Sequence, residues 1–173
     1  MTASFAPLGI EARRLPGALP AWHADVAPSG LRALAEAAKA GNARLVALWG
    51  SDETLRGAGF AVHLALALPA GLLWVRAALE REHPRYPGIA DLYPAAARMQ
   101  RAAYDLVGIH PRDNRDQRKW LRHGAWPGGE FPLRKAFDAR ASFPAGEDRY
   151  PFVRVEGDGV HEIGVGPVHA GTI

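Results

Sequence analysis

The run Phe60 to Leu68, FAVHLALAL, limits the fold more than any other stretch of the chain. Phe60, Val62, Leu64, Leu66 and Leu68 alternate with Ala61, His63, Ala65 and Ala67, a period of two that a strand can sort onto opposite faces and a helix cannot. Neighbouring strands must pair with it. Arg44 to Trp49 (RLVALW) reads as the strand before it, with the polar, glycine-bearing segment Ser51 to Gly59 between them. Pro69, Ala70 and Gly71 turn the chain into Leu72 to Ala77, the strand after it. An antiparallel meander is predicted.

Helical spacing appears on both sides of that meander. Leu31, Leu34, Ala35 and Ala38 recur on one helix face, with Ser29 as the candidate N-cap and Gly41 and Asn42 as the stop. Further on, Pro94 suits the start of a helix over Ala95 to Leu106, where its missing N–H costs nothing. Ala96, Met99, Ala103, Leu106 and Val107 share its apolar face and Gly108 ends it. Arg76 to His83 reads either as a helical turn or as a strand end. Pro84 and Pro87 interrupt regular structure, and Ile89 to Leu92 adds a short strand. Residues 1–28, rich in Pro and Ala without a sustained period, read as an irregular N-terminal arm tacked down by Arg13, Arg14 and Trp22. The prediction is a two-layer α+β domain over residues 29–109, a small antiparallel or mixed sheet covered by two helices, with a long irregular C-terminal extension.

Composition narrows the function. At 173 residues and 48% hydrophobic content one core is expected. There is no apolar run of about 18 residues and no secretory-signal order at the N-terminus, so a cytoplasmic placement is expected. With no cysteine, disulfides, thiolate zinc and iron–sulfur ligation by these residues are excluded, and any redox metal belongs to a neighbour. The net charge of +3 is too small to imply nucleic acid by itself.

Residues 110–155 form a basic tail with too few apolar side chains for a second core. Arg112, Arg115, Arg118, Lys119, Arg122, Arg134 and Lys135 are interleaved with Trp120, Trp126, Phe131 and Phe137. An extended tail that cannot satisfy its own backbone or bury its aromatic rings needs a partner surface, on which Arg and Trp are the usual anchors. Two alternatives stay open: a solvated basic loop folded back on its own domain, and a nucleic-acid module over residues 112–137 with Trp120 and Trp126 as stacking platforms. Catalytic readings are weaker. His110, His123 and His161 lack the spacing that puts two imidazoles on one metal. Ser29, Ser51 and Ser142 lack a nucleophile turn and read as caps and turns, and Gly157 and Gly159 around Asp158 read as a hairpin turn.

The motifs carry a resemblance. Arg101, Tyr104, Asp105, Leu106, Gly108 and Ile109, then Asp116, Arg118 and Lys119, then Trp126 and Pro127, and finally Pro132, Leu133, Arg134 and Lys135 resemble the 30 kDa subunit family of respiratory complex I and its membrane-bound nickel–iron hydrogenase relatives of the formate hydrogenlyase type. The YDLVGI and PLRK pieces are the most specific. Gln100 and Ala102 replace the family's two glutamates beside the arginine, Asn114, Arg115 and Asp116 stand for its H-P-D piece, and Ala136 replaces its acid after PLRK. His161 to Ile173 is similar to the opening of the hydrogenase-like large subunit, which makes residues 156–173 the start of such a domain.

The resemblance implies a non-catalytic scaffold that binds no cofactor itself. It would dock a hydrogenase-like large subunit, fused at its C-terminal end, an iron–sulfur small subunit and membrane subunits, peripheral at the inner face of the cell membrane. Iron–sulfur clusters, with a nickel–iron centre or quinone, belong to the parent complex, and His169 approaches that cavity only in a full-length protein. No nucleic acid is expected, and without its partner the tail from Arg112 onward is expected to be mobile, to fold back, or to borrow a neighbouring copy's surface in a non-native dimer.

Overall fold

The computed structural model describes residues 2–5, 8–124, 126–144 and 154–161. Its centre is the predicted meander: β4 (Arg44–Asp52), β5 (Phe60–Leu68) and β6 (Gly71–Leu79), with β5 antiparallel to both neighbours. The ambiguous stretch after Arg76 is strand as far as Leu79. The register sets Leu64 beside Leu48 of β4 and Val75 of β6, and all three are buried. Each such side chain removed from water stabilises the fold by about 1.5–3 kcal/mol before ordering costs.

The irregular arm expected over residues 1–28 is corrected. β1 (Thr2–Phe5), β2 (Ile10–Arg14) and β3 (Ala21–Val26) extend the sheet to six strands in the order β1-β2-β3-β6-β5-β4. β3 runs parallel to β6, with Ala24 beside Val75, and this pairing makes the sheet mixed. The strands escape a periodicity search because they are short and because the buried residues of this stretch include Ala12 and Ala24, whose small side chains give a faint apolar signal.

α1 (Leu31–Ala40) buries Leu31, Leu34, Ala35 and Ala38 as their spacing predicts. Its N-cap is Gly30 without a side-chain cap, and Ser29 lies instead in a preceding single turn, Pro28–Gly30. α2 (Ala96–Val107) ends at Gly108 in the left-handed conformation, φ +77°. Both helices share one core with Phe60, Val62, Leu64 and Val75. The short strand expected at Ile89–Leu92 is a turn, in which Tyr93 N–H donates to Ile89 O at 2.9 Å. The strand lies just before it: β7 (Arg85–Pro87) pairs in parallel with β8 (His110–Arg112). Gly50 of β4 makes room for this end of the fold, since a Cβ there would lie 2.7 Å from Ile109 Cδ1.

Candidate docking surfaces

The basic tail is laid along α2 as an ordered strap. Asp105 organises it from inside: its Oδ2 accepts the backbone N–H groups of Trp120 at 2.6 Å, Leu121 at 2.7 Å and Arg122 at 3.2 Å. A buried carboxylate has to be paired or hydrogen-bonded, so the three N–H groups and the buried Arg122, whose Nε lies 3.6 Å from Oδ1, answer that need together. Arg122 Nη1 donates on to Glu130 O at 2.7 Å. One turn earlier on α2, Arg101 donates to Arg118 O at 2.6 Å, to Lys119 O at 3.0 Å and to Asp116 Oδ2 at 2.9 Å. Hydrogen bonding from Arg118, helped by the Arg101 charge, holds the Asp116 carboxyl well below the usual range. Lys119 Nζ donates to the carbonyls of Gly124 and Trp126, each at 2.9 Å.

The far end of the strap closes the helix. Leu133 N–H donates to Leu106 O at 2.9 Å and Arg134 Nε to Val107 O at 2.8 Å, so two carbonyls of the last turn find partners. The Arg134 guanidinium lies over Phe131 and Phe60, 4.3 and 4.7 Å from their ring centres, and burial lowers its pKa. A Cβ on Gly108 would stand 2.5 Å from Arg134 Nη2 and 2.8 Å from Phe131, so glycine there serves both the left-handed turn and the close approach of the strap. Tyr104 meets Phe131 edge-on at 5.9 Å, and Lys135 N–H donates to Asp52 Oδ2 at 2.8 Å. The YDLVGI and PLRK segments are thus physical partners: one ends the helix, and the other covers that end.

The predicted docking residues divide accordingly. Arg112, Arg115, Arg118 and Lys135 are exposed, as is Leu133, which follows the half-buried Pro132. Trp120 is 45% exposed with Arg98 and Arg101 over its ring, and Trp126 donates from its indole to Glu130 O at 2.8 Å while stacking on Phe137. Arg122 and Arg134, expected to reach a partner's carboxylates, point instead into the strap's own packing. The expectation that the strap needs a partner to order its rings is corrected for the same reason, because α2 supplies the carboxylate and carbonyls. Gln100 is fully buried and accepts the Ile89 N–H at 2.8 Å. Val160 N–H donates to Gly157 O at 3.1 Å, a turn where the sequence predicts a hairpin turn, with no strand beside it among the described residues. His169, with all of residues 162–173, lies outside the described residues.

A second cluster, which sequence reasoning missed, lies on the sheet face opposite the core. Register places Trp49, His63 and Arg76 side by side across β4, β5 and β6. The Trp74 indole, which can only donate, gives its proton to His63 Nδ1 at 3.1 Å. His63 therefore carries its own proton on Nε2 and donates to Ser51 Oγ at 2.8 Å, and Ser51 donates to Glu53 Oε1 at 3.1 Å. Arg76 binds Glu53 through two nitrogens and Asp25 Oδ1 at 2.8 Å. Ser51, read as a turn residue, is a strand residue within this relay. The direction of the relay leaves it no base, since the acceptor nitrogen of His63 is already occupied. Burial pushes the His63 pKa down to about 4, against a smaller upward pull from Glu53, and the Arg76 hydrogen bond lowers that of Glu53. Among the described residues no group of three or more His, Cys, Asp or Glu could hold a metal ion, and no helix is long and apolar enough to cross a membrane.

Comparison with known proteins places this geometry. The family model of the respiratory-chain NADH dehydrogenase 30 kDa subunit matches residues 23–143, from β3 to the end of the strap, and the chain belongs to that family. It is 36% identical over 118 residues to the C/D subunit of NADH-quinone oxidoreductase from Rhodopseudomonas palustris (strain BisB18), covering 63% of this chain and 19% of that protein. It is 28% identical over 132 residues to formate hydrogenlyase subunit 5 of Escherichia coli (strain K12), covering 72% of this chain and 23% of that protein. The chain therefore spans about a fifth of the length of these curated relatives. Among solved structures, the trypsin-resistant fragment (1–134) of Nqo5 superposes with a TM-score of 0.52 at 25% identity, covering 61% of this chain and 89% of that one. A chain of the membrane-bound sulfane sulfur reductase, an archaeal respiratory membrane complex, has the same fold, with a TM-score of 0.63 at 17% identity over 81% of this chain and 89% of that one.

Proposed function

We propose that this chain is a non-catalytic assembly module of a multi-subunit oxidoreductase of the NADH-quinone oxidoreductase or membrane-bound hydrogenase type. It would hold a hydrogenase-like large subunit and an iron–sulfur small subunit together at the inner face of the membrane, next to the membrane subunits. The observation that carries this reading is the family match that runs through the whole strap to residue 143. The names of the relatives, a C/D subunit and a formate hydrogenlyase subunit, support both the parent enzyme class and a C-terminal fusion to the large subunit. The strap supports it physically. The N–H groups of Trp120, Leu121, Arg122 and Leu133 and the Arg134 side chain bond to α2, so the strap presents Arg112, Arg115, Arg118 and Trp120 from a frame already ordered, which lowers the entropy cost of docking. These residues contain no cysteine, so an iron–sulfur cluster finds no thiolate ligand among them; clusters, nickel–iron centre or quinone are assigned to neighbouring subunits.

The nucleic-acid reading draws less support. Trp120 is already faced by guanidinium groups, and Trp126 packs against Phe137 and Phe143. The test is affinity recovery of the full-length protein from native membranes, with mass spectrometry of partners and iron and nickel analysis. Co-purification with an iron–sulfur small subunit and membrane subunits is expected, and nickel would select the hydrogenase type. Recovery alone, or with RNA, would overturn the proposal.

A further inference from the structure

The sheet face opposite the core bears a prepared recess of about 740 Å³. Trp49 forms its apolar floor, 38% exposed and stacked on His63 at 5.0 Å with the rings 13° from parallel. Leu55, 81% exposed in the turn Thr54–Arg56, stands beside it. The backing is rigid, because the relay from Trp74 through His63 and Ser51 to Glu53 fixes the ring beneath Trp49 in one tautomer. A tryptophan stacked on a fixed ring, with an open face and an adjacent exposed leucine, is the composition of a binding anchor rather than of an ordinary solvated surface.

The charges around the anchor specify what it fits. The carboxylates that line the recess are already engaged: Asp25 and Glu53 by Arg76, Asp52 by Thr54 and the Lys135 N–H. The rim cations Arg13, Arg56 and Lys135 are exposed, and among the described residues none has a carboxylate partner. A phosphate backbone or an anionic bilayer fits poorly, since the exposed Asp25 and, beneath it, the largely buried Glu53 would oppose a dense row of negative charge. A protein segment with a few spaced carboxylates fits well, because each can take one rim cation while an apolar side chain lies on Trp49.

We propose that this recess is a second docking site, which takes an acidic segment of a neighbouring subunit carrying an apolar or aromatic anchor. The site rests on the reading of the chain as an assembly module and lies on the sheet rather than on the strap, with which it shares only Lys135. It assigns Trp49 and Leu55 to the contact core and Arg13, Arg56 and Lys135 to its rim.

Site-specific photo-crosslinking in the assembled complex tests it. Leu55 is replaced by p-benzoylphenylalanine in the full-length protein, the complex is isolated from native membranes and irradiated, and the adduct is mapped by mass spectrometry. The expected adduct is a segment of another subunit with Asp or Glu within a few positions of the attachment point. Arg13→Glu together with Arg56→Glu is expected to lower its yield by about tenfold. An unchanged melting temperature of that exposed double variant shows that the fold persists. If the other subunits co-purify but Leu55 yields no protein adduct, or one in a segment without acids, the recess is not this docking site while the assembly reading stands. Lipid or nucleic-acid adducts in the intact complex overturn the proposal equally. If no subunits co-purify, the assembly reading fails and the proposal falls with it.

Discussion

The strap and the open sheet face use arginine in opposite ways. At the strap, Arg101 of α2 and the strap's own Arg122 and Arg134 turn inward to donate to carbonyls and carboxylates of the same chain. On the sheet face Arg76 is engaged in the same manner, but Arg13 and Arg56 stay at the rim without a carboxylate partner among the described residues. The region richest in basic residues therefore directs several of them into its own architecture, while a sparser region keeps its charge available. A count of cations does not locate a docking surface; what matters is whether a carboxylate or carbonyl of the same chain lies within reach.

The largest expected effect comes from removing the strap's organiser. Asp105→Ala leaves three backbone N–H groups without their acceptor and the buried Arg122 without its counter-charge, and should cost about 3–5 kcal/mol in urea unfolding. Limited proteolysis should then cut within residues 112–143. Protection equal to that of the unaltered protein would show that the strap is held by something other than Asp105.

Acidification comes next and strikes the sheet face. The folded His63 pKa of about 4 lies below its ordinary value of 6.5, so the unfolded state takes up a proton first as pH falls. Stability present above pH 6.5 is lost down to about pH 4, on the order of 3 kcal/mol. The lowered Glu53 pKa acts with the same sign at the acid end, since its contribution is present above the ordinary carboxylate value and lost below it. Denaturant titrations from about neutral pH down to about pH 4 would show the loss, and His63→Gln should flatten it. An unaltered slope in that variant would place the pH sensitivity elsewhere.

Gly108→Ala should cost about 2 kcal/mol or more, from the left-handed backbone and the displaced Arg134, read as a lower melting temperature and a loosened strap. The smallest effect sharpens the comparison. Arg56→Glu on the rim should change stability by no more than about 0.5 kcal/mol, whereas Arg122→Glu in the strap should unfold that region, although both remove one arginine. Equal destabilisation by the two in thermal melts would erase the distinction between structural and available charge.

Part of this molecule was legible in the letters because the relevant physics is local. The alternation from Phe60 to Leu68, the spacing of Leu31, Leu34, Ala35 and Ala38, and the stop at Gly108 each depend on residues a few positions apart. The motifs YDLVGI and PLRK likewise pointed to the family without showing that one closes over the other. By itself, then, the sequence determined the central meander, the two helices and the family. Tertiary structure decided the rest. The parallel pairing of β3 with β6, the grip of Asp105 on a strap 15 to 17 residues away, and the links from Trp74 to His63 and from His63 to Ser51 all join residues remote in sequence. Those contacts depend on strand register and on where a helix face comes to rest. Whether an arginine serves the fold or a partner is set by the neighbours that packing brings to it.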